Sequence, residues 1–306
     1  MSEAHKPFRR LALIGIGLIG SSLARAAREF GQAESIVCAD AKPEHRAEAL
    51  KLGIVDEAFA EPGEAAKGAD LVILCVPLSA YAAVGAAIGP CLETGALLTD
   101  VGSCKEAVIR DLSPHLRPGV FFVPGHPVAG TEHSGPAAGF ASLFKGRWCI
   151  LTPPEGADDA AVKKLKDFWT ALGSKVEMMD AKHHDLVLAI TSHVPHLIAY
   201  NIVGTADDLQ TVTQSEVIKY SAGGFRDFTR IAASDPTMWR DVFLNNKEAV
   251  LEMLGRFSED LTALQRAIRW GDGDTLFNLF ARTRAIRRAI IDAGQETNAP
   301  DFGRKS

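Results

Sequence analysis

Short apolar runs alternate with helical stretches along the first 180 residues of the chain. The runs are rich in valine, isoleucine and leucine and are bounded by glycine, proline or polar residues, so we interpret them as strands. They lie at residues 11–15, 35–40, 70–77, 96–101, 120–123, 148–152 and 175–179. Predicted helices lie between them, at residues 18–30, 43–52, 80–92, 105–112 and 159–172. This alternation is typical of a parallel sheet covered by helices on both faces.

The pattern changes at Asp180. From there to about Gly294 the apolar positions follow helical periodicity, and no segment has the alternation of a strand. Long helices are predicted at residues 185–203, 238–267 and 274–292, and we expect Pro195 to kink the first of them. The sequence therefore predicts two domains, residues 1–180 and residues 181–306, of which the second is all-helical.

Composition and charge narrow the class of protein. The net charge is −5 and no basic block is present, so we expect no nucleic-acid partner. The five cysteines are scattered without Cys-x-x-Cys spacing, which favours reduced thiols over disulfides or zinc. The polar N-terminal segment lacks the apolar core of a signal peptide, and no uninterrupted apolar run approaches the roughly 18 residues of a membrane span. We expect a cytoplasmic protein without membrane contact.

The segment Gly-Ile-Gly-Leu-Ile-Gly at residues 15–20 lies between the first predicted strand and the helix that follows. In that context Gly-x-Gly-x-x-Gly predicts a dinucleotide-binding turn. The first glycine permits the tight turn, the second lets the backbone approach a pyrophosphate at the helix N-terminus, and the third allows the helix to pack closely. The fold class is then α/β, with an N-terminal Rossmann-type doubly wound sheet. The expected cofactor contacts on this turn are Gly15, Gly17, Leu18, Ile19 and Gly20.

Asp40 ends the second predicted strand, 20 residues after Gly20. A carboxylate at that place accepts hydrogen bonds from the adenosine ribose hydroxyls and repels a 2′-phosphate, so NAD is the expected cofactor. Lys42, His45 and Arg46 follow directly and could hold a phosphate, which keeps NADP open as an alternative.

Other candidate residues lie at the carboxyl ends of further predicted strands, the edge at which open α/β sheets bind ligands. Val76 and Pro77 end the third strand and are expected beside the cofactor, although Pro77 serves equally well as a strand terminator. Ser103 follows the fourth strand in the segment Asp-Val-Gly-Ser and is also expected to contact the cofactor.

Three polar clusters carry the candidate chemistry. His126 follows the strand predicted at residues 120–123, and histidine accepts a proton near neutral pH; a loop histidine without a role is the alternative. His193 and His196 are three residues apart and share a helix face, but no third ligand is near in sequence, so we expect no metal. Gly223 and Arg230 belong to a glycine-containing segment in which an arginine suits the bidentate binding of a carboxylate, or a loop salt bridge.

Taken together, these segments resemble the prephenate/arogenate (cyclohexadienyl) dehydrogenases of tyrosine biosynthesis. Their motifs occur in the family's order: Gly-Ile-Gly-Leu-Ile-Gly, Asp-Val-Gly-Ser-x-Lys, Gly-His-Pro-Val-Ala-Gly-Thr-Glu, Ser-His-x-Pro-His and Gly-Gly-Phe-Arg-Asp-Phe-Thr-Arg. The resemblance implies oxidative decarboxylation of prephenate or arogenate with NAD⁺. Hydride leaves C4 of the substrate, CO₂ departs as the ring becomes aromatic, and the product is 4-hydroxyphenylpyruvate or tyrosine.

The resemblance also implies roles for single residues. His126 takes the proton of the C4 hydroxyl, Ser103 orients that hydroxyl or His126, and Arg230 binds the side-chain carboxylate of the substrate. It further implies an all-α helical dimerisation domain, and the apolar surface of the predicted helices favours a homodimer as well. The other residues expected in the substrate pocket are His196, His193, Thr131, Glu132 and Gly223.

Two other functions stay open. A β-hydroxyacid dehydrogenase has the same succession of domains but uses a lysine on the first long helix of its second domain, and residues 185–204 contain no lysine. The second alternative is a module that senses NAD and catalyses nothing; His126 and Arg230 within the full set of motifs argue against it. The sequence does not separate prephenate from arogenate as the substrate.

Overall fold

The computed structural model describes residues 6–131, 133–208, 216 and 223–292. Within these ranges the strands are β1 (Phe8–Ile14), β2 (Ala33–Ala39), β3 (Glu57–Phe59), β4 (Leu71–Leu74), β5 (Leu97–Asp100), β6 (Phe121–Phe122), β7 (Gly125–Pro127), β8 (Trp148–Leu151) and β9 (Lys175–Met178). The helices are α1 (Leu18–Glu29), α2 (Pro43–Lys51), α3 (Pro62–Ala66), α4 (Tyr81–Ile88), α5 (Lys105–Leu112), α6 (Asp159–Ala171), α7 (Ala181–Leu188), α8 (Val194–Asp208), α9 (Gly223–Thr229), α10 (Pro236–Asn245), α11 (Lys247–Trp270) and α12 (Gly273–Asp292).

Strands β1 to β6 form one parallel sheet in the order β3-β2-β1-β4-β5-β6. This is the strand order of a Rossmann-type dinucleotide-binding domain, in which the chain changes direction across the sheet between β1 and β4. Leu11 and Leu13 of β1 pack on one face, and Ala12 and Ile14 on the other. Residues 11–14 of this strand are all apolar and buried because both faces of the sheet are covered there. The predicted α/β class and doubly wound sheet are confirmed.

Different helices cover the two faces of this sheet. One face carries α1 and α6, whose Phe168 and Trp169 are buried against it together with Phe144. The other face carries α3, α4 and α5, with Tyr81 and Val108 buried there. The carboxyl ends of β1, β4 and β5 therefore lie at one edge of a rigid, fully packed layer, where the connecting loops are placed.

A second sheet holds strands β7, β8 and β9. Strand β7 runs antiparallel to β8, and β8 runs parallel to β9. The expectation that the segments near residues 148 and 175 extend the large parallel sheet is wrong, because an apolar run reports burial and not the identity of the neighbouring strand. No apolar pattern predicts the short strands at residues 57–59 and 125–127, and the second of these contains His126.

The helix predicted at residues 185–203 is irregular just before Pro195. Helix α7 passes through a π-helical turn, Ala189–His193, into α8, in which Pro195 is the second residue. Proline has no N–H for the carbonyl one turn earlier, and a widened turn is one way in which a helix accommodates this loss. The helix predicted at residues 238–267 is two helices, α10 and α11, separated at Asn246.

The chain divides into two compact units, residues 1–250 and residues 251–306. The first unit contains both sheets and helices α1 to α10. The predicted domain boundary at residue 180 lies where the strands end, and it stays a prediction. Within the described part of the second unit, many large apolar side chains of α11 and α12 are exposed. Ile268, Trp270 and Phe277 have exposed fractions of 68%, 78% and 70%.

Among the described residues, one helical stretch is long and apolar enough to cross a membrane. It is Ala181–Asp208, whose 18-residue window has a mean hydropathy of 1.5 and is 28% buried. Polar residues interrupt this stretch, so it contains no apolar run of the length expected for a membrane span. A buried core helix meets the same criterion, and three of its polar side chains, His184, Asp185 and His193, are buried and hydrogen-bonded within the first compact unit.

Candidate active site

The turn between β1 and α1 has a backbone geometry that requires glycine. Gly15 has a φ of +98°, and a Cβ there would lie 2.5 Å from the carbonyl oxygen of Cys75. At Gly20 a Cβ would collide with the carbonyl oxygen of Gly15. At Gly17, in contrast, a Cβ would meet nothing within 4 Å. The space in front of Gly17, at the N-terminus of α1, therefore has room for a pyrophosphate, which the helix N–H groups would attract.

Asp40 follows β2 and reaches the glycine turn. One of its carboxylate oxygens accepts a hydrogen bond from the backbone N–H of Ile16 at 2.9 Å, and the other from that of Lys42 at 2.9 Å. An ionised carboxylate has about four lone-pair positions, so ribose hydroxyls can still bind. The Arg46 guanidinium donates to the backbone carbonyls of Asp40 and Ala41. These residues fit the pyrophosphate and adenosine ribose of NAD.

The other predicted cofactor contacts lie around the same turn. Leu18 and Ile19 open α1 and are half-buried. Val76 is also half-buried, and its Cγ1 would lie 3.1 Å from a Cβ at Gly15. Pro77 is exposed and precedes a short 3₁₀ turn. The structure therefore brings Val76 to the glycine turn as expected, while a cofactor contact of any of these residues stays a prediction.

The buried carboxylate of Asp100, the last residue of β5, joins two loops of the site. It accepts hydrogen bonds from the N–H of Gly102 at 2.7 Å and from the N–H of Gly125 at 3.1 Å. Ser103 directly follows Gly102, and His126 directly follows Gly125. One carboxylate thus fixes the backbone beside both residues that the sequence singled out for catalysis.

Lys105 compensates the charge of Asp100. Its ammonium lies 2.6 Å from the Asp100 carboxylate and 2.5 Å from the carbonyl oxygen of Gly125, and its side chain is completely buried. The Tyr81 hydroxyl donates a fourth hydrogen bond to the same carboxylate, at 3.1 Å, and burial raises the pKa of this phenol. A buried charge that is paired and fully hydrogen-bonded in this way forms a rigid support.

His126 belongs to a buried chain of hydrogen bonds. Its Nδ1 lies 2.8 Å from Nε2 of His184, and Nδ1 of His184 lies 2.8 Å from a carboxylate oxygen of Asp185. The Asp185 carboxylate also accepts from the backbone N–H groups of Lys105 and Glu106, at the N-terminus of α5. Burial, followed by the neighbouring cations, lowers the pKa of His126 well below its usual value. His126 is therefore neutral at pH 7, as a base must be.

His193 and His196 lie beside Trp239, on α10. His196 stacks on the indole with ring centroids 3.6 Å apart, and its Nδ1 bonds the carbonyl oxygen of Ser192 at 2.9 Å. Nδ1 of His193 lies 3.1 Å from the side-chain amide of Asn246, and burial lowers the pKa of His193 to about 4. Nε2 of His193 and Nε1 of Trp239 are buried and have no hydrogen-bond partner in the described part of the chain.

The remaining predicted substrate residues are dispersed. Arg230 is exposed and lies close enough to His196 for its charge to lower the pKa of that imidazole, an effect secondary to burial. Gly223 opens α9 and is exposed. Thr131 is exposed, and its hydroxyl accepts a hydrogen bond from the N–H of His133. Glu132 lies outside the described residues, so its predicted role stays a prediction.

Sequence reasoning missed four residues that surround His126, namely Lys105, His184, Asp185 and Asp100. Two of them were visible as the first and last letters of Asp-Val-Gly-Ser-x-Lys, but that motif was used only for its serine. The signal for the others is the pair His184-Asp185, two polar residues at the start of an apolar helix. Among the described residues, no group of three or more His, Cys, Asp or Glu side chains could hold a metal ion.

The fold and this site define a class of protein. A Rossmann-type sheet with a glycine turn, a carboxylate bonded to that turn at the end of β2, and a buried histidine just beyond the carboxyl end of β6 is the arrangement of a dinucleotide-dependent dehydrogenase.

Comparisons with known proteins identify the family. The prephenate dehydrogenase nucleotide-binding domain matches residues 23–178, and the prephenate dehydrogenase dimerization domain matches residues 180–282. A cyclohexadienyl dehydrogenase of Zymomonas mobilis is 41% identical over 283 residues, which cover 92% of this chain and 96% of that protein. A prephenate dehydrogenase of Bacillus subtilis is 33% identical over 282 residues, covering 92% and 76%. The chain belongs to the prephenate dehydrogenase family.

A solved structure shows the same architecture. Prephenate dehydrogenase from A. aeolicus, in complex with hydroxyphenyl propionate and NAD⁺, superposes with a TM-score of 0.86 at 34% identity, covering 95% of this chain and 100% of that one. The resemblance inferred from the motifs is confirmed, and the two alternative functions, a β-hydroxyacid dehydrogenase and an NAD-sensing module, lose their support.

Proposed function

We propose that the chain catalyses the NAD-dependent oxidative decarboxylation of prephenate, arogenate or both, with His126 as the base. The observation that carries this proposal is the hydrogen bonding of His126. Nδ1 is held by His184, whereas Nε2 has no hydrogen-bond partner among the described residues. A neutral imidazole with one nitrogen fixed and the other available is placed to accept a proton. The family and its relatives support the same reaction.

The reaction places few chemical demands on the protein. When NAD⁺ is bound, its nicotinamide supplies the hydride acceptor. His126 takes the proton of the substrate's C4 hydroxyl through Nε2, so that the oxygen becomes a carbonyl as hydride leaves C4. CO₂ then departs, its bonding pair makes the ring aromatic, and the phenolate oxygen takes the proton back from His126. The product is 4-hydroxyphenylpyruvate from prephenate or tyrosine from arogenate. Ser103, fixed through Gly102 on Asp100, orients the hydroxyl or His126.

Arg230 supplies the positive charge for the side-chain carboxylate of the substrate. A guanidinium pairs with a carboxylate through two parallel hydrogen bonds, which fixes the orientation of the substrate as well as its affinity. His196 stacks on Trp239 and is close enough to Arg230 for that charge to lower its pKa. We assign His196 and His193 to the same substrate pocket as Arg230. Thr131, Glu132 and Gly223 complete the proposed set.

The cofactor site follows from the glycine turn. Gly15, Gly17 and Gly20 shape the turn, Leu18 and Ile19 open the helix above it, and Asp40 receives the ribose hydroxyls. Val76, Pro77 and Ser103 lie at the strand ends that border it. We assign residues 1–180 to cofactor binding and residues 181–306 to the substrate pocket and dimerisation, in a cytoplasmic enzyme without nucleic-acid or membrane partners.

The substrate assay tests the reaction. NADH formation at 340 nm is followed with prephenate and with arogenate, with either NAD⁺ or NADP⁺. We expect turnover of at least one substrate with NAD⁺, and the ratio of kcat/KM values gives the preference that the sequence leaves open. His126→Asn should lower kcat roughly 10²- to 10⁴-fold with a modest change in KM. Near-normal turnover of that variant would remove the base role.

A homodimer formed through the second compact unit is the proposed assembly. Its exposed apolar side chains, among them Ile268 and Phe277, are typical of a surface that a second copy covers. Phe277→Glu should shift the mass measured by light scattering from dimer to monomer at micromolar concentration. Leu50→Glu, which alters an exposed leucine on α2, serves as the control and should leave the mass unchanged. A monomeric unmodified protein would refute the assignment.

A further inference from the structure

The chain of hydrogen bonds behind His126 determines where each of its protons lies. Asp185 contributes a carboxylate, which only accepts hydrogen bonds, so the Nδ1 atom of His184 must carry a hydrogen and donate it. A neutral imidazole carries one N–H, which leaves Nε2 of His184 as an acceptor. Nδ1 of His126, 2.8 Å away, must then be the donor.

This assignment of hydrogens determines the state of Nε2, the other ring nitrogen of His126. With the hydrogen on Nδ1, the lone pair of a neutral His126 lies on Nε2, the atom that has no protein partner among the described residues. We propose that His184 and Asp185 are positioning residues that hold His126 in this tautomer and orientation, so that Nε2 faces the substrate as an acceptor. This proposal rests on the proposed role of His126 as the base.

Asp185, at the end of this chain of hydrogen bonds, is held as a hydrogen-bond acceptor. Asp185 is buried, and its two carboxylate oxygens receive the backbone N–H groups of Lys105 and Glu106 at 2.7 and 2.9 Å. These are the first two N–H groups of α5, which have no carbonyl partner within the helix. These two amide donors hold both carboxylate oxygens in place as hydrogen-bond acceptors at the N-terminus of the helix. Asp185 thus fills the position that an aspartate holds behind the histidine of a hydrolase triad.

His184, the middle member of this chain of hydrogen bonds, is equally constrained. His184 has no exposed surface, and burial lowers its pKa, while Asp185 opposes that effect. The rings of His126 and His184 meet edge to face at 66°, with centroids 5.1 Å apart, a geometry that directs the nitrogen of one ring at that of the other. Lys105, which lies on the opposite side on α5, disfavours a positive charge on either ring. Both histidines therefore start the reaction neutral.

The proton balance of the step is simple. The substrate O–H bond breaks, an N–H bond forms at Nε2 of His126, and the hydride leaves C4 for the bound NAD⁺. His126 becomes an imidazolium, whose Nδ1–H bond to His184 shortens as the charge develops. The positive charge is offset through His184 by the Asp185 carboxylate, so the chain stabilises the protonated base without itself gaining a proton.

Kinetics of three variants test the proposal. His184→Leu removes the acceptor for Nδ1 of His126, and we expect kcat to fall roughly 10²-fold, within the range of general-base effects. His184→Gln restores an acceptor oxygen near the same place and should recover at least about tenfold of that loss. His183→Leu changes the exposed histidine next in the chain and should leave kcat unchanged. NAD affinity, measured by titration, should be the same in all of them.

The decisive comparison uses the His126→Asn background. If His184 acts only through His126, adding His184→Leu to His126→Asn should change kcat by less than about twofold, whereas a merely structural residue would lower kcat equally in both backgrounds. Equal losses, or normal kcat in His184→Leu, would overturn the positioning role while His126→Asn stays inactive. Normal kcat in His126→Asn would instead overturn the base and, with it, the positioning role.

A measurement on the unmodified enzyme covers the case in which His184→Leu does not fold. In protein labelled with ¹⁵N-histidine, the nitrogen shifts distinguish protonated from unprotonated ring nitrogens. We expect both His126 and His184 to be protonated at Nδ1 and unprotonated at Nε2 at pH 7.5. A His126 ring that is protonated at Nε2 would overturn the proposal.

Discussion

Lys105 and Asp100 form an ion pair with no solvent exposure, in which the ammonium nitrogen lies 2.6 Å from a carboxylate oxygen. The pair lies beneath the loop of Ser103 and the strand of His126. Both charges have further hydrogen-bond partners, Gly125 for the lysine and Gly102 for the aspartate. Burial of each charge carries a desolvation penalty, which the opposite charge chiefly offsets. Removing one member of the pair therefore leaves the other buried without a counter-charge.

Lys105→Met should therefore lower the free energy of unfolding by about 3–5 kcal/mol, because it leaves the Asp100 carboxylate buried without a counter-charge. Urea unfolding measures this loss. Lys163→Met provides the matched control, since Lys163 and Asp167 form an ion pair at 2.5 Å whose side chains are mostly exposed. That change should cost less than about 1 kcal/mol.

A double variant separates charge from packing in the same pair. Asp100→Asn combined with Lys105→Met removes both charges, and we expect it to recover part of the stability lost by Lys105→Met alone. A double variant less stable than the single one would show that the hydrogen bonds of Asp100, not its charge, determine the loss.

The fold could be predicted from sequence, whereas the surroundings of the base could not. Uninterrupted apolar strands such as residues 11–14 predict a sheet that is buried on both faces. The glycine turn predicts the edge of the sheet at which the cofactor binds. The partners of His126 are invisible in the same reading, because they come from distant parts of the chain. His184 lies 58 positions away from it, and Asp185 lies 80 positions from the Lys105 N–H that it accepts.

The second sheet illustrates the same limit. The apolar run at residues 148–152 indicates a buried strand correctly, but the choice between parallel and antiparallel neighbours depends on long-range packing. Strand β7 is only three residues long and contains a proline, so no pattern marks it as a strand. Its pairing with β8 nevertheless determines the position of His126, opposite Ile150.

Asp40 should determine the choice between NAD and NADP. Asp40→Asn keeps an oxygen that can accept from Ile16 but removes the negative charge, so we expect NADP affinity to rise relative to NAD. Asp40→Ala also removes the hydrogen bond that holds the glycine turn, and its NAD dissociation constant should rise about 10- to 100-fold, the effect of losing hydrogen bonds to a charged group. Fluorescence titration with NADH and NADPH measures both.

The cofactor titrations of the Asp40 variants need a matched control. Glu44→Gln, an exposed acid in the first turn of α2, should leave both affinities unchanged. Equal affinity of the unmodified protein for the two cofactors would contradict the assignment of Asp40 to the ribose, and would point to Arg46 as the residue that accommodates a 2′-phosphate.

Arg230 should affect substrate binding more than turnover. Arg230→Ala removes a charge-assisted pair with the substrate carboxylate, and KM should rise about 10- to 100-fold with kcat changed little. Arg230→Lys keeps the charge but loses the bidentate geometry, so its KM should be intermediate. Arg226→Ala alters a second exposed arginine, which lies on α9, and should leave KM unchanged. An unchanged KM in Arg230→Ala would place the carboxylate elsewhere.

The buried histidines should make the enzyme unstable in mild acid. The pKa values of His126, His184 and His193 are lowered in the folded protein by burial, and that of His193 to about 4. In the unfolded chain a histidine titrates near pH 6.5. Between pH 6.5 and 4 the unfolded state therefore binds more protons than the folded state, so stability is complete above pH 6.5 and falls as the pH falls.

Urea unfolding from pH 7.5 to 4.5 measures this slope. We expect a marked loss beginning near pH 6.5, before the carboxylates whose pKa values are lowered, such as Asp56 and Asp241, begin to contribute below about pH 4. His193→Gln removes one of the titrating rings. The difference in bound protons between the unfolded and folded states, which sets the slope of the free energy of unfolding against pH, should then decrease by about one. A free energy of unfolding that is constant from pH 7 to 5 would mean that the buried rings take up protons in the folded enzyme over the same pH range as in the unfolded chain, which would contradict the lowered pKa values of these histidines.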